Sequence, residues 1–414
     1  MPASDPRAAP APILFVHYGE EWIRGSERCL LDLFKYLDRD RFHPVLWCNA
    51  ETLASEARKL DVEVEVGRFT LLLGWGPPRL DVANYWRLVR RAQRLIETHG
   101  IRLIHSNSAA PTQWMFVAAR RESVPLLTHV HAPYVDRDRF TLGMHQATLS
   151  VGVTRGCVAD LVADGLPEER TTTIYNGVDL ASWDGWDETG LRARLGIDED
   201  DIVIAQTGSL IHRKGHDLLL HALKELRGTH PSCHYLIVGE GPERKAIERL
   251  TARLGLEDVV HFLGFVPCPP GVIFRDAADV AVSPSRMEGF GLTVIEAGAA
   301  GCAVLATATT GMTEIITDEV NGLIVPVDDP ERLLAGLSRL VGDSALRERL
   351  GSALKEEVMQ RFVVSKYVSD LEATYTRLVG LPKGQLGWRR ARWPGQRRMY
   401  ARWLLRTAGH RARR

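Results

Sequence analysis

The sequence predicts an α/β protein built from two Rossmann-like, doubly wound parallel-sheet domains in tandem. Short, wholly apolar runs alternate with stretches of helical periodicity, the pattern of strands buried on both faces. The order strand, polar glycine-containing loop, amphipathic helix occurs twice, opening near residue 13 and again near residue 202. Between the two copies, Asn176-Gly177 is a turn signal and residues 178–189 are loop-like, so the domain boundary falls at 175–195. A length of 414 residues suits two to three domains.

The expected division is a disordered N-terminus over 1–12, a first domain over 13–180, a second over 190–361, a helix over 362–381 and a basic tail over 382–414. In the first domain the run 13–18 reads as a buried strand, with a polar loop to Gly25 and a helix over 26–37. Further strands are expected over 45–48, 103–105, 126–130 and 149–153, with a helix over 82–98. The second domain opens with a strand over 202–207, a loop over 208–215 and a helix over 216–227. Strands follow over 234–238, 259–262, 280–283, 303–306 and 322–325. Two such domains are expected to face one another across a cleft, with ligands at the carboxyl ends of the strands.

Composition narrows the class. The apolar set makes up 45% and charged residues 25%, which excludes a fibrous or disordered chain. Lys plus Arg and Asp plus Glu each number 52, but the balance is uneven along the chain. Residues 382–414 hold eleven basic side chains and no acidic one, leaving the body with 41 basic against 52 acidic. An acidic body with a basic tail points to a charged partner for the tail. The six cysteines include no C-x-x-C pair, so neither a disulfide framework nor a zinc site is signalled, and a reducing, cytoplasmic compartment is expected. The N-terminus is wrongly flanked for a secretory signal, and the longest uncharged stretch, 297–313, is short of the roughly 20 apolar residues of a spanning helix.

The sharpest motif is E-G-F-G-L-T-V-I-E over 288–296, which follows a strand and opens into a helix expected to run to about Ala300. Its glycines let backbone N–H groups approach a ligand, and a helix N-terminus near Gly291 and Leu292 is a place for phosphate. Glu288 and Glu296 suit hydroxyls better than phosphates; the bland alternative is a capping carboxylate and a solvated helix residue. In G-S-L-I-H-R-K-G-H over 208–216, Lys214 lies just before a helix and could offer its ammonium to a diphosphate, or be an ordinary solvated charge. The turn G-E-G-P over 239–242 and the segment G-F-V over 264–266 leave the same sheet edge.

Together these residues resemble the retaining nucleotide-sugar glycosyltransferases of family 4, with the GT-B fold. The resemblance rests on N-G-V-D over 176–179, R-K-G over 213–215, V-G-E-G-P over 238–242, F-L-G-F-V over 262–266, P-S-R-M-E-G-F-G-L over 284–292 with Glu296, and N-G-L over 321–323. It spans roughly residues 13–381. It implies that Glu288 contacts donor sugar hydroxyls, Glu296 the nucleotide ribose, and Phe290, Gly291 and Leu292 the donor through backbone N–H groups. It implies that Lys214, with Arg213 beside it, stabilises the leaving diphosphate, and that Phe265 and Val266 flank the nucleobase. In the first domain Gly25, Ser26 and Glu27 match a Gly-Gly-x-Glu type loop, with Arg24 in place of one glycine. His131 matches the active-site histidine, with His129 as the rival. Two departures stand out: Ser209 replaces a usual basic residue, and residues 311–314 read G-M-T-E where a Gly-Gly-x-x-Glu pattern is expected.

The resemblance implies a nucleotide-sugar donor, a glycan or lipid-linked acceptor, retention of anomeric configuration, and no metal or cofactor, with cationic and N–H donors bearing the charge that develops on the diphosphate. Asp136 and Asp138 have the D-x-D spacing of metal-dependent transferases of another fold, but lie in the first half. It also implies a helix over 363–379 that returns to the first domain. In the tail, Arg398, Arg402 and Arg406 are spaced by four beside the apolar Met399, Tyr400, Trp403 and Leu404. With Trp388 and Trp393 this reads as a surface for an anionic membrane over 388–406 on its cytoplasmic face, against a solvated tail or a nucleic-acid arm; no nucleic acid is expected. A dehydrogenase lacks its G-x-G-x-x-G, whereas a sugar-nucleotide epimerase of the same fold and a non-catalytic nucleotide-sugar-binding protein remain as alternatives.

Overall fold

The computed structural model describes residues 9–73, 80–186, 190–387 and 395–411. The chain forms two compact units, one of residues 1–175 and 367–414, the other of residues 176–366.

The first unit holds a seven-stranded sheet: β1 (Ala11–His17), β2 (Phe42–Cys48), β3 (Glu63–Val66), β4 (Leu103–Ser106), β5 (Leu126–Val130), β6 (Leu149–Gly152) and β7 (Thr171–Thr173). The order is β3-β2-β1-β4-β5-β6-β7 and every pair is parallel, with Ile13 beside Leu103 and Val16 beside Trp47. β1 starts at Ala11, so Ala11 and Pro12 belong to the sheet and not to a disordered N-terminus; Ala11 is buried where its N–H donates to Arg41 O. Residues 1–8 lie outside the described residues. β3 and β7 read E-V-E-V and T-T-T and so escaped the search for apolar runs; both are sheet edges, where short, polar strands discourage further pairing. The helix Val82–Thr98 is capped by Asp81, which accepts from Asn84 N at 2.9 Å, and buries Leu88, Val89, Ala92, Leu95 and Ile96 at helical spacing.

The second unit holds β8 (Ile202–Thr207), β9 (Cys233–Val238), β10 (Val260–Gly264), β11 (Val280–Ser283), β12 (Ala303–Thr307) and β13 (Leu323–Val325). Their order, β10-β9-β8-β11-β12-β13, is again parallel throughout. In both sheets the strand order reverses beside the first strand, between β1 and β4 and between β8 and β11. Ligands of open α/β sheets bind outside the carboxyl ends of the strands at such a switch point. The helix Leu292–Ala300 carries small residues where the helix Ser344–Arg361 crosses it: a Cβ on Gly298 would come within 2.6 Å of Leu354.

The chain enters and leaves the second unit along paired segments. Val178 N donates to Phe362 O at 2.8 Å and Val364 N to Val178 O at 3.0 Å, and Gly177 has no room for a Cβ, which would lie 2.3 Å from the Val363 backbone. The following helix, Val364–Val379, is counted with the first unit from Tyr367 onward; its Tyr375 hydroxyl lies 2.6 Å from His105 Nδ1 and its Glu372 accepts from Asp38 N.

Candidate functional site

At the carboxyl edge of the second sheet the loops after β8 and β11 are laced together. Gly215, at φ 68°, takes the left-handed conformation, and a Cβ there would lie 2.1 Å from Pro284 O. Arg286 N donates to Arg213 O at 2.7 Å, while the Arg286 guanidinium grips both Asp217 oxygens at 2.9 and 2.8 Å, Asp328 at 2.7 Å and His212 O at 2.8 Å. Gln206, inside β8, donates to Lys214 O at 2.7 Å and accepts from the Tyr235 hydroxyl at 2.7 Å. These contacts fix the short turn His212–Lys214 and with it the Lys214 side chain.

Lys214 Nζ donates to Glu288 Oε2 at 2.6 Å, and both side chains are largely withdrawn from solvent. Behind them, burial and the Lys214 charge push the His216 imidazole down to about 4, so it stays neutral. Gly208, after β8, lies against the Lys214 methylenes. Phe290 is buried and meets Phe362 edge-on at 5.7 Å, and Gly311 packs so closely that a Cβ would lie 2.2 Å from Phe290 O. Gly291, at φ 120°, turns the chain into the helix that begins at Leu292. Its first N–H groups have no carbonyl of their own helix to bond, which makes this end a receptor for anions. Glu296 stands half-buried one turn along it.

The structure thus brings Lys214, Glu288 and the Phe290-Gly291-Leu292 turn to one switch point. Arg213 is exposed, its Nη1 3.3 Å from Met287 O. Phe265 and Val266 follow β10, two strands from β8; Phe265 is 82% exposed and Val266 half-buried. Residues 311–314 open a one-turn helix, Met312–Ile315, with Gly311 N donating to Glu288 O at 3.2 Å, so this loop supports the Glu288 backbone.

The carboxyl edge of the first sheet holds His17, Glu27, Asn107 and His131. His17 Nε2 lies 2.8 Å from Glu27 Oε1, and Asn107 bridges His17 Nδ1 at 3.2 Å and His131 Nε2 at 3.4 Å. His131 stands one residue past β5 and is half-buried; His129, inside β5, is fully buried with its ring 4.3 Å from that of His131. Burial and the neighbouring imidazoles hold both well below the ordinary histidine range. Gly25 is exposed and begins the helix Gly25–Tyr36, two residues before Glu27. Asn107 and His17 were missed in the sequence, although each ends or follows a strand at the switch point.

Asp136 and Asp138 sit in the first turn of the helix Asp136–Thr141. Among the described residues no group of three His, Cys, Asp or Glu side chains is placed to hold a metal ion. All six cysteines are free thiols.

The tail departs from expectation. The helix Gln396–Arg411 does not turn its apolar face outward: Trp403 stacks on Phe140 at 4.9 Å, Tyr400 accepts from Gln146 Nε2 at 2.8 Å, and Met399 is buried. Burying aromatic area against Phe140 and His145 outweighs leaving it to solvent. Leu404 remains exposed with Arg397, Arg398 and Arg402. Trp388 and Trp393 lie outside the described residues, as does the Arg406 side chain. Among the described residues no helix is long and apolar enough to cross a membrane.

Comparison with known proteins bears on the family and the fold. The family described as Glycosyl transferases group 1 matches residues 187–357, and that described as Glycosyltransferase Family 4 matches residues 23–182. The D-inositol 3-phosphate glycosyltransferase of Kribbella flavida is 30% identical over 301 residues, covering 66% of this chain and 71% of its own. The uncharacterized glycosyltransferase MJ1607 of Methanocaldococcus jannaschii is 33% identical over 47% of this chain; the match spans 51% of its length, about half, as for several other curated relatives. Among solved structures, Anabaena HepE in complex with UDP superposes with a TM-score of 0.74 at 24% identity, over 88% of this chain and 99% of that one. Two parallel Rossmann-like sheets, a glycine-turned helix end beside Lys214 and Glu288, and matching family sequences over both halves place this chain in the family 4 glycosyltransferases of GT-B fold.

Proposed function

We propose that this protein moves a sugar from a nucleotide diphosphate sugar to a glycan or lipid-linked acceptor, with retention of anomeric configuration and without a divalent metal in the donor site. The observation that carries the reading is the Lys214–Glu288 pair beside the N-terminus of the helix Leu292–Ala300. Breaking the bond between sugar C1 and the diphosphate oxygen builds negative charge on the leaving group. Lys214 and the Leu292 end of the helix are fixed donors for that charge. Glu288, released from Lys214 when the diphosphate takes its place, accepts hydrogen bonds from sugar hydroxyls, and Glu296 takes the ribose. Arg213 adds charge at the mouth, and Phe265 and Val266 flank the base. The acceptor oxygen bonds to C1 on the face the diphosphate leaves, and its proton passes to the departing phosphate oxygen.

The first unit supplies the acceptor side through His131, with Gly25 opening the neighbouring turn. The exposed arginines of the last helix, Arg397, Arg398 and Arg402, offer a surface to anionic lipid headgroups on the cytoplasmic side, which suits an acceptor carried on lipid.

UDP is the first nucleotide to try, because HepE binds UDP and UDP-glucose. Calorimetric titration with UDP, GDP and ADP, with and without magnesium, should give metal-independent binding of one of them that is lost in Lys214→Ala and Glu296→Ala. No binding of any nucleotide would overturn the transferase reading; turnover of the sugar nucleotide without acceptor would point to the epimerase.

A further inference from the structure

The buried polar groups of the first unit form a chain whose hydrogen-bond logic has one solution. The Asn107 side chain is fully buried, and its Nδ2 lies 3.2 Å from Ser26 O and 3.2 Å from His17 Nδ1. A backbone carbonyl oxygen only accepts, so the NH2 end of the amide faces Ser26 and the amide cannot be turned over without placing oxygen against oxygen. An amide NH2 only donates, so His17 Nδ1 carries a lone pair and the His17 proton sits on Nε2, aimed at Glu27 Oε1 2.8 Å away.

Glu27 is built to receive it. Its other oxygen accepts from Arg24 N at 3.1 Å and from the Ser26 hydroxyl at 3.0 Å. Burial works to raise its carboxyl, but the hydrogen bond from His17, with the local donors, brings it to about 2. Gly19 closes the arrangement. A Cβ there would lie 2.6 Å from His17 Nε2 and 2.8 Å from Glu27 Oε1, and Asn49 clamps the Gly19 backbone with bonds of 2.9 and 2.7 Å.

What remains of Asn107 is its Oδ1, an acceptor, 3.4 Å from His131 Nε2. From this geometry we infer that Asn107 is a positioning residue that holds His131 in the Nε2–H tautomer, leaving the Nδ1 lone pair to accept a hydrogen bond from a substrate hydroxyl. The inference rests on the reading of His131 as a residue of the transferase site. His131 is half-buried, and Asn107 is its hydrogen-bond partner among the described residues. Burial and the imidazoles of His129 and His17 lower its pKa, against the opposing charge of Glu27, so the ring is neutral at pH 7. A neutral ring with a fixed proton orients a hydroxyl; a ring free to exchange tautomers would present a donor at Nδ1 for part of the time. The same rule governs histidines whose second nitrogen sets the role of the first.

The test uses full-length protein labelled with 15N-histidine and a long-range 1H–15N correlation spectrum, the His131 signals being assigned by their loss in His131→Gln. The expected result is a protonated Nε2 and an unprotonated Nδ1 for His131, and the same tautomer for His17. The opposite tautomer at His131 overturns the proposal. In Asn107→Ala the His131 signals should shift towards a tautomer mixture, and kcat should fall about 10- to 100-fold with the donor KM within about 2-fold. An unchanged tautomer in Asn107→Ala also overturns it. Unchanged signals of His99 and His145, which sit in the same unit against Glu63 and Asp164 and not against Asn107, show that Asn107→Ala stays folded. Asn107→Ala made in the His131→Ala background should cost less than about 2-fold further in kcat, and a full additional loss would reveal a merely structural role. A wild-type protein that transfers no sugar yet shows the expected tautomers would sink the transferase reading and leave the Asn107 assignment standing.

Discussion

The two sheets share one strand order around their switch points and fill them by opposite means. At the first, side chains do the holding: His17, Glu27, Asn49, Asn107 and His131 form a mostly buried hydrogen-bonded set whose one anion, Glu27, is already matched. At the second, backbone does much of it: Gly215 against Pro284, Gly239 against Gly208 and Gly311 against Phe290 leave no room for a Cβ, and the side chains present are charges. The difference teaches which edge suits which ligand. Bare backbone with a half-buried ammonium and a helix N-terminus attracts a polyanion. A neutral imidazole beside a buried carboxylate repels one and sorts hydroxyls instead.

The contrast breaks most completely at Gly215. Gly215→Val places a β-branched side chain at φ 68° with its Cβ 2.1 Å from Pro284 O, and should cost about 3 kcal/mol or more by urea denaturation and abolish nucleotide binding. Gly25→Ala, at an exposed helix start, should change stability by less than about 1 kcal/mol. Lys214→Ala should lower kcat/KM about 100- to 1000-fold, with a smaller loss for Lys214→Arg, because the fixed cation acts on charge that develops only as the bond breaks. Arg286→Ala frees the two loops from Asp217, Asp328 and His212; nucleotide affinity by calorimetry should drop about 10-fold while the first unit is unaffected.

Acid should strike the first unit. His105 is pushed by burial, and by His131 and His17, to about 3, and His129 and His131 also lie well below the usual value. The unfolded chain binds protons at these sites below about pH 6.5 while the native state does not, so their contribution to stability is whole above that pH and falls as pH drops. Glu27 adds to the loss between about pH 4.5 and 2, where its native carboxylate is protonated later than the unfolded one. Tm measured from pH 7.5 to 5 should therefore decline, and His129→Phe should flatten the decline. The smallest effect is expected in the tail: Arg397→Ser, Arg398→Ser and Arg402→Ser combined should leave Tm within about 2 °C while weakening salt-sensitive binding to anionic vesicles.

The strand pattern was legible because buried parallel strands write themselves as continuous apolar runs; β1, β5, β8 and β11 are of this kind. β3 and β7 were not, since an edge strand need satisfy only one neighbour and can be polar on every residue. At the second switch point the site residues fall in two short runs, 208–216 and 288–296, and glycines in each mark where backbone must approach. At the first they come from residues 17, 27, 107 and 131, each a single polar residue at a strand end or helix start, with spacing that carries no signal until the sheet brings them together. The tail misled for a related reason: amphipathicity declares that Met399, Tyr400 and Trp403 share a face, but not that Phe140 and Gln146 wait for it.

The bridge of Val178 with Val363, closed by hydrogen bonds from Val178 N to Phe362 O and from Val364 N to Val178 O, makes the second unit an insertion whose two ends are already joined. A domain with adjacent ends can be lifted out or substituted at a single seam. Residues 176–366 are thus a natural cassette: grafting the corresponding segment of a relative that uses another nucleotide sugar, with Gly177 kept at the seam, should trade donor preference while the remaining chain keeps its acceptor.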